Sequence, residues 1–309
     1  MFRDGLGESS EFSGYHPIVN LTYYITVIGI TVFSTSPWFL GATFVMAWIY
    51  SILLGGRLSI RMNLILVFWI IVIMAVINVI FTHEGETVLF YLNGNRITAE
   101  ALIYGLSSAV MLSSVIIWFS GFNVIMTAEK LIYLFGRIAP VLGLTLSMIF
   151  RYIPLLKDRY EEVHMGQQCL DPEAGLINRP GGKQPILKRL RQAGKNVSVL
   201  ISWSLESSIE NADSMEARGY GLKGRTSFHL YRFAARDTLM EIWLCILGLI
   251  CIGGCVLDKT EAVFYPTYEV HPFDGVTAVT FVAFALLLTT PVILDITGEL
   301  KWKRSDLTV

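Results

Sequence analysis

The chain has 309 residues, of which 53% are apolar and only 16% charged, and its mean hydropathy is +0.56. That balance excludes an ordinary soluble domain and points to a polytopic membrane protein. A formal net charge of −1 excludes bulk attraction to nucleic acid.

The N-terminus is acidic and glycine-rich, with Asp4, Glu8 and Glu11 ahead of the first apolar run, unlike a cleavable leader. Residues 17–56 contain no Asp, Glu, Lys or Arg, which leaves room for two membrane spans divided at Ser36-Pro37. Each is near the roughly 20 residues that cross a bilayer core of about 30 Å. Further spans fit residues 62–81, 101–119, 238–257 and 275–294, making six. Along the fourth, Ala101, Gly105, Ala109 and Ser113 recur every fourth residue. This flat stripe suits either an internal helix seam or the docking surface for another membrane subunit.

Between the fourth and fifth spans the pattern changes. Residues 122–137 have an apolar face interrupted by Glu129 and Lys130, as expected of a helix lying in the membrane interface. Residues 138–156 are apolar but carry Pro140, Arg151 and Pro154; they predict a buried or tilted helix whose polar continuation, 157–168, enters the cytosol. The alternative is an additional crossing. Residues 171–185 hold three prolines and three glycines and predict an irregular connection to a second long helix over 186–218. In that helix Ile201, Leu205, Ile209, Ala212 and Met215 line one face, with Glu206, Glu210, Asp213 and Glu216 mostly on the others. Gly219, Gly221 and Gly224 then let the chain turn. Arg218 sits in the last turn, where a cation complements the helix dipole by about 0.3–1 kcal/mol.

Basic residues set the orientation. Residues 151–236 hold 14 of the 24 Lys and Arg, Arg57 and Arg61 mark the connection between spans two and three, and Lys301, Lys303 and Arg304 mark the C-terminus. The connections 82–98 and 258–274 carry one basic residue each. Six spans with both termini in the cytoplasm satisfy these signs. Within the spans, Glu241 is expected at the cytoplasmic interface beside Arg236, and Asp295 at the edge of the sixth span.

Nothing here predicts chemistry by the chain itself. Gly181-Gly182-Lys183 and Gly194-Lys195 lack the spacing and the Ser/Thr of a phosphate-binding loop. The five histidines are scattered, and Cys251 and Cys255, though on one helix face, suit small apolar packing better than a metal. No catalytic group, cofactor or metal is expected.

The segment SMEARGYG at 214–221, following a cytosolic helix and preceding a return into the membrane, resembles the Ala-Arg-Gly motif of the transmembrane T component of energy-coupling factor (ECF) transporters. HPIVNL at 16–21 and LTLSMIFRYIPLLKDRYEEV at 144–163 resemble family segments in the same order. The resemblance implies an all-α polytopic membrane bundle with a cytosolic pair of long coupling helices: membrane helices over 1–137, the coupling region over 138–236 and a C-terminal membrane hairpin over 237–309. It further implies two ATP-binding-cassette ATPase subunits as partners, a substrate-binding S component, and surrounding membrane lipid. The substrate would be a water-soluble vitamin or a transition-metal ion, read by the S component.

The motif expected at the end of the first coupling helix is degenerate. There Gly166, Gln167 and Cys169 precede Leu170 and Asp171, which stand where Arg and Gly would be. The coupling residues expected are therefore Glu216, Ala217, Arg218 and Gly219 at one helix end and Gly166, Gln167, Cys169 and Leu170 at the other. Unequal ends favour a heterodimeric ATPase. The rival reading is a stand-alone secondary transporter or channel, which would need an internal repeat that the sequence lacks.

Overall fold

A computed structural model describes residues 10–82, 85, 87–92, 95–170, 186–220, 222, 231–265, 268–270, 272 and 274–306. The fold is all-α, relieved by two short β-hairpins, and divides into two units: 1–131 with 231–309, and Ile132–Leu230.

The first unit is the membrane bundle. Helix α1 (Pro17–Phe33) starts at His16, whose Nδ1 accepts from the Ile18 N–H at 3.3 Å, and Pro17 fills a first-turn position where its missing N–H loses no helical bond. Helix α2 (Pro37–Phe81) has 45 residues, about 67 Å if straight and far too long for one crossing. It folds back at Gly56, whose φ of 59° and ψ of −151° are open to glycine. Two spans result, Pro37–Gly56 and Ser59–Asn78. The connection expected around Arg57 and Arg61 is therefore helical on both sides of one glycine, with no loop of its own.

Strands β1 (Val88–Leu92) and β2 (Asn95–Thr98) form an antiparallel hairpin that delivers the chain to α3 (Ala99–Ile125). Helix α3 runs past the expected end at 119 and takes up residues 122–125, so the interfacial helix is shorter than expected: α4 (Ala128–Ile138) begins after a break at Met126 and Thr127. Helices α5 (Pro140–Leu170) and α6 (Ile186–Ala217) follow. Helix α7 (Ala235–Val256), a small hairpin of β3 (Ala262–Val263) and β4 (Glu269–Val270), and α8 (Gly275–Asp306) complete the described chain.

Among the described residues five helical segments are long and apolar enough to cross a membrane, and α1, at 17 residues, is apolar but shorter. Helix α5 is not among them by length and composition, and Val141, Leu142 and Ile153 in its apolar half are exposed. The chain is thus a multi-pass membrane protein, and the outward apolar surface of its spans is what lipid requires.

Helix α1 packs against α3 and α7. Around it Tyr23, Tyr24 and Tyr50 surround Trp118 with ring centroids 5.8–6.4 Å apart, and the Trp118 indole N–H donates to Thr43 Oγ1 at 3.1 Å. Buried aromatics with a satisfied N–H pack without an orphaned donor at that point. The stripe Ala101, Gly105, Ala109, Ser113 is buried in this unit. A Cβ at Gly105 would stand 3.1 Å from Asn78 Cβ and 3.4 Å from the Met74 carbonyl, so small side chains are what let α3 approach α2.

Both hairpins lie at one end of the bundle, where the Thr35 and Ser36 N–H groups donate to Thr260 O at 3.1 and 2.9 Å and Tyr104 packs on Phe264. The opposite end gathers residues 10–16, Lys130, Arg236, Asp237 and Asp295. The Glu241 Oε1 accepts from the Thr22 hydroxyl at 2.9 Å, and Arg236 donates to Gly14 O at 2.8 Å.

Candidate coupling site

The second unit is built on α5 and α6. The sequence stops α6 by a specific device. The Tyr220 N–H donates to Met215 O at 3.0 Å and the Gly219 N–H to Glu216 O at 2.9 Å, with Gly219 at φ 76°. That pair of bonds is a Schellman cap, which satisfies carbonyls the helix leaves open and requires a left-handed residue where glycine stands. A side chain at Gly219 would also meet Leu222 Cδ1 at 3.0 Å. Arg218 sits at the cap itself, exposed, with Glu216 and Ala217 also exposed beside it. The cap therefore fixes the backbone from which the guanidinium projects.

At the end of α5, Gly166 and Cys169 are exposed and Gln167 is half-buried; a Cβ at Gly166 would meet open space. The Leu170 side chain and the expected connection at 171–185 lie outside the described residues.

The two helices run antiparallel, as their contacts demonstrate. Asn211 Nδ2 donates to the Tyr152 hydroxyl at 2.6 Å, the Arg159 guanidinium lies 5.1 Å over the Trp203 ring, and Asn196 Nδ2 pairs with His164 Nδ1 at 3.2 Å. As the α5 partner advances, the α6 partner retreats. The two expected motifs are therefore not brought together: one occupies each end of the helix pair. About 24 residues of helix, roughly 36 Å, lie between those ends.

The seam between the helices is polar, and the apolar face expected on α6 is not turned into it. Instead Val197, Ile201, Leu205 and Ile209, four residues apart, are exposed along α6. None of Tyr152, Arg159, His164, Asn196, Trp203 and Asn211 was signalled by helical periodicity. Among the described side chains of α6, Asn196 is buried at 1% exposure. Among the described residues there is no cluster of three or more His, Cys, Asp or Glu placed to hold a metal ion.

Comparison with known proteins then supplies the family. The sequence matches the CbiQ family, described as cobalt transport protein, over residues 13–229, a stretch that includes α5, α6 and both helix ends. It is similar to the energy-coupling factor transporter transmembrane protein EcfT of Listeria innocua, at 31% identity over 59% of this chain and 70% of that protein. The EcfT protein of Streptococcus equi is 30% identical over 55% of this chain and 65% of its own length. That of Exiguobacterium sibiricum is 27% identical over 68% and 82%. The chain belongs to the CbiQ cobalt transport family, as the transmembrane component of an ECF transporter.

Proposed function

We propose that this chain is a non-catalytic scaffold through which two ATP-binding-cassette ATPases drive uptake by a separate substrate-binding membrane subunit. The observation that carries the reading is Arg218, exposed at a rigid Schellman cap with small neighbours on both sides. A guanidinium so held can make charge-assisted hydrogen bonds to a partner's carboxylates, worth about 1.5–3 kcal/mol. At the far end Gly166, Gln167, Cys169 and Leu170 offer no cation. A second ATPase there would be held by packing, and so unequal a grip suits a heterodimer.

The exposed stripe Val197, Ile201, Leu205 and Ile209 supports docking of an apolar membrane subunit on α6. The excess of basic residues in 151–236 and at the C-terminus supports a cytoplasmic side for this unit and both termini, in a cell membrane. The cargo, a vitamin or a transition-metal ion, is read by the partner subunit.

The test is retention of ATPase by the full chain purified in detergent. Arg218→Ala should lose more ATPase than Leu170→Ala; equal losses remove the asymmetric grip. If the chain alone moves solute into reconstituted vesicles, the scaffold reading gives way to a stand-alone transporter or channel.

A further inference from the structure

Residues 10–16 do more than lead into α1. They lie across the bundle end at which the chain departs for the second unit, after Leu131, and to which it returns, at Tyr231. Lys130, one residue before departure, is buried at 4% exposure. Its Nζ donates to Ser13 O at 2.7 Å, to Ser13 Oγ at 3.0 Å and to Ile125 O at 2.9 Å. Asn20, oriented so that its amide donates to Phe12 O at 3.0 Å, offers its oxygen to the same Nζ at 3.2 Å.

The returning strand of chain grips the same segment. The His16 ring packs 4.6 Å from that of Phe233, and the Arg236 guanidinium donates to Gly14 O while lying 4.8 Å over the Tyr15 ring. Asp237 accepts from the Ala234 N–H at 2.9 Å and the His16 N–H at 3.4 Å. On a third side Asp295 of α8 accepts from the Ser10 hydroxyl at 2.8 Å and the Phe12 N–H at 3.0 Å.

Both chain connections of the coupling unit are therefore tied to one short segment that is also tied to α8. Withdrawing Lys130 from it would leave a buried ammonium short of acceptors, and displacing Asp237 would orphan two backbone donors, so each of these contacts resists opening.

We propose that residues 10–16 form a clasp that joins the two connections of the coupling unit into one mechanical joint, with Lys130 and Arg236 as positioning residues that pass its movement to the membrane helices. This rests on the coupling reading above. Free energy passes between sites only through an element whose arrangement both sites bias, and the clasp is the place where departure, return and bundle meet.

The experiment uses the full chain with its co-purified ATPases in lipid vesicles. Spin labels at Tyr91→Cys and Asp258→Cys, at the hairpin end of the bundle, are read by pulsed EPR without nucleotide and after trapping with Mg-ATP and vanadate. The expected result is a nucleotide-dependent distance shift in the parent that is lost in Lys130→Met and in Arg236→Gln, while both variants keep their ATPases and the parent rate of ATP hydrolysis. The proposal is overturned if the shift persists in both variants, if the parent shows none, or if hydrolysis falls in step with the shift. Should Lys130→Met fail to fold, Arg236→Gln decides alone, because its side chain is 56% exposed and Asp237, 3.8 Å from its guanidinium, keeps the Ala234 and His16 N–H donors when Arg236 is lost. A parent that retains no ATPase defeats the coupling reading itself, and the clasp with it, on a different observable.

Discussion

Asn63 donates its side-chain N–H to Ser51 Oγ at 2.8 Å, although twelve positions separate them along what is continuous helix on either side of Gly56. In an unbroken helix they would stand roughly 18 Å apart. The bond bridges the two spans of α2 at their turn, and both residues are buried. Gly56→Ala forces a side chain onto φ 59°, ψ −151°, at a cost of about 1–3 kcal/mol. Thermal unfolding in detergent should fall clearly for Gly56→Ala but not for Gly41→Ala, where an added Cβ meets nothing.

Gly219→Ala and Arg218→Ala separate the cap from the charge it presents. The first strains a residue at φ 76°, costing about 1–2 kcal/mol and fraying the end of α6. The second removes an exposed side chain and leaves helix content unchanged. Circular dichroism melting should distinguish them, while ATPase retention should fall in both. Full retention by Gly219→Ala would mean that cap geometry plays no part in presenting Arg218.

Burial pulls the Lys130 ammonium from its ordinary value near 10.5 down to about 8. Between these values the unfolded chain binds more protons than the folded one, so stability rises with pH through that window. The burial cost is present in full below about 8 and is relieved toward 10.5. Tyr231, raised above its ordinary 10.0 by burial and then by Glu129, acts in the opposite sense only above that value. Unfolding midpoints measured from pH 7.5 to 9.5 should therefore climb more steeply for the parent than for Lys130→Met. Parallel slopes would show that Lys130 is not the group responsible.

Gly105 faces Asn78 and the Met74 carbonyl at van der Waals distance or closer, as a Cβ would find them. Gly105→Leu must push α3 off the second span of α2. Such overpacking costs typically about 1–3 kcal/mol. Reduced accumulation and a lower unfolding midpoint are expected, and loss of a membrane partner from a protein of parental stability would instead indicate that the stripe faces outward.

How legible all this was in the sequence depended on the range of the contacts. The end of α6 could be read because the signal is local: Gly219 both stops the helix and permits φ 76°. The fold-back at Gly56 was legible only as a break of uncertain length, since Leu53, Leu54 and Ser59 to Ile60 suit a helix on both sides. The clasp was not legible. Lys130 reaches Ser13 across 117 positions and Asp295 reaches Ser10 across 285, and no periodicity reports on such pairs. For the same reason periodicity could not report that Glu241 accepts from Thr22 on another helix. The apolar face of α6 was read correctly as a face, but periodicity cannot say which body covers it.

Leu205 tests that last point. It is 63% exposed, with Ile201 and Ile209 one turn to either side, while α6 meets α5 through Asn196, Trp203 and Asn211. Leu205→Glu therefore removes no contact named in the α5–α6 seam and puts a carboxylate into an exposed apolar stripe. The isolated variant should unfold within measurement error of the parent. If the stripe receives an apolar membrane subunit, docking would bury that carboxylate without a partner, and the complex should be lost even though ATPase remains bound through Arg218. Native mass spectrometry of the purified assembly reads both outcomes at once. Retention of the small subunit by Leu205→Glu would assign the stripe to lipid, and loss of ATPase together with it would mean that the two partners do not grip separate parts of the helix pair.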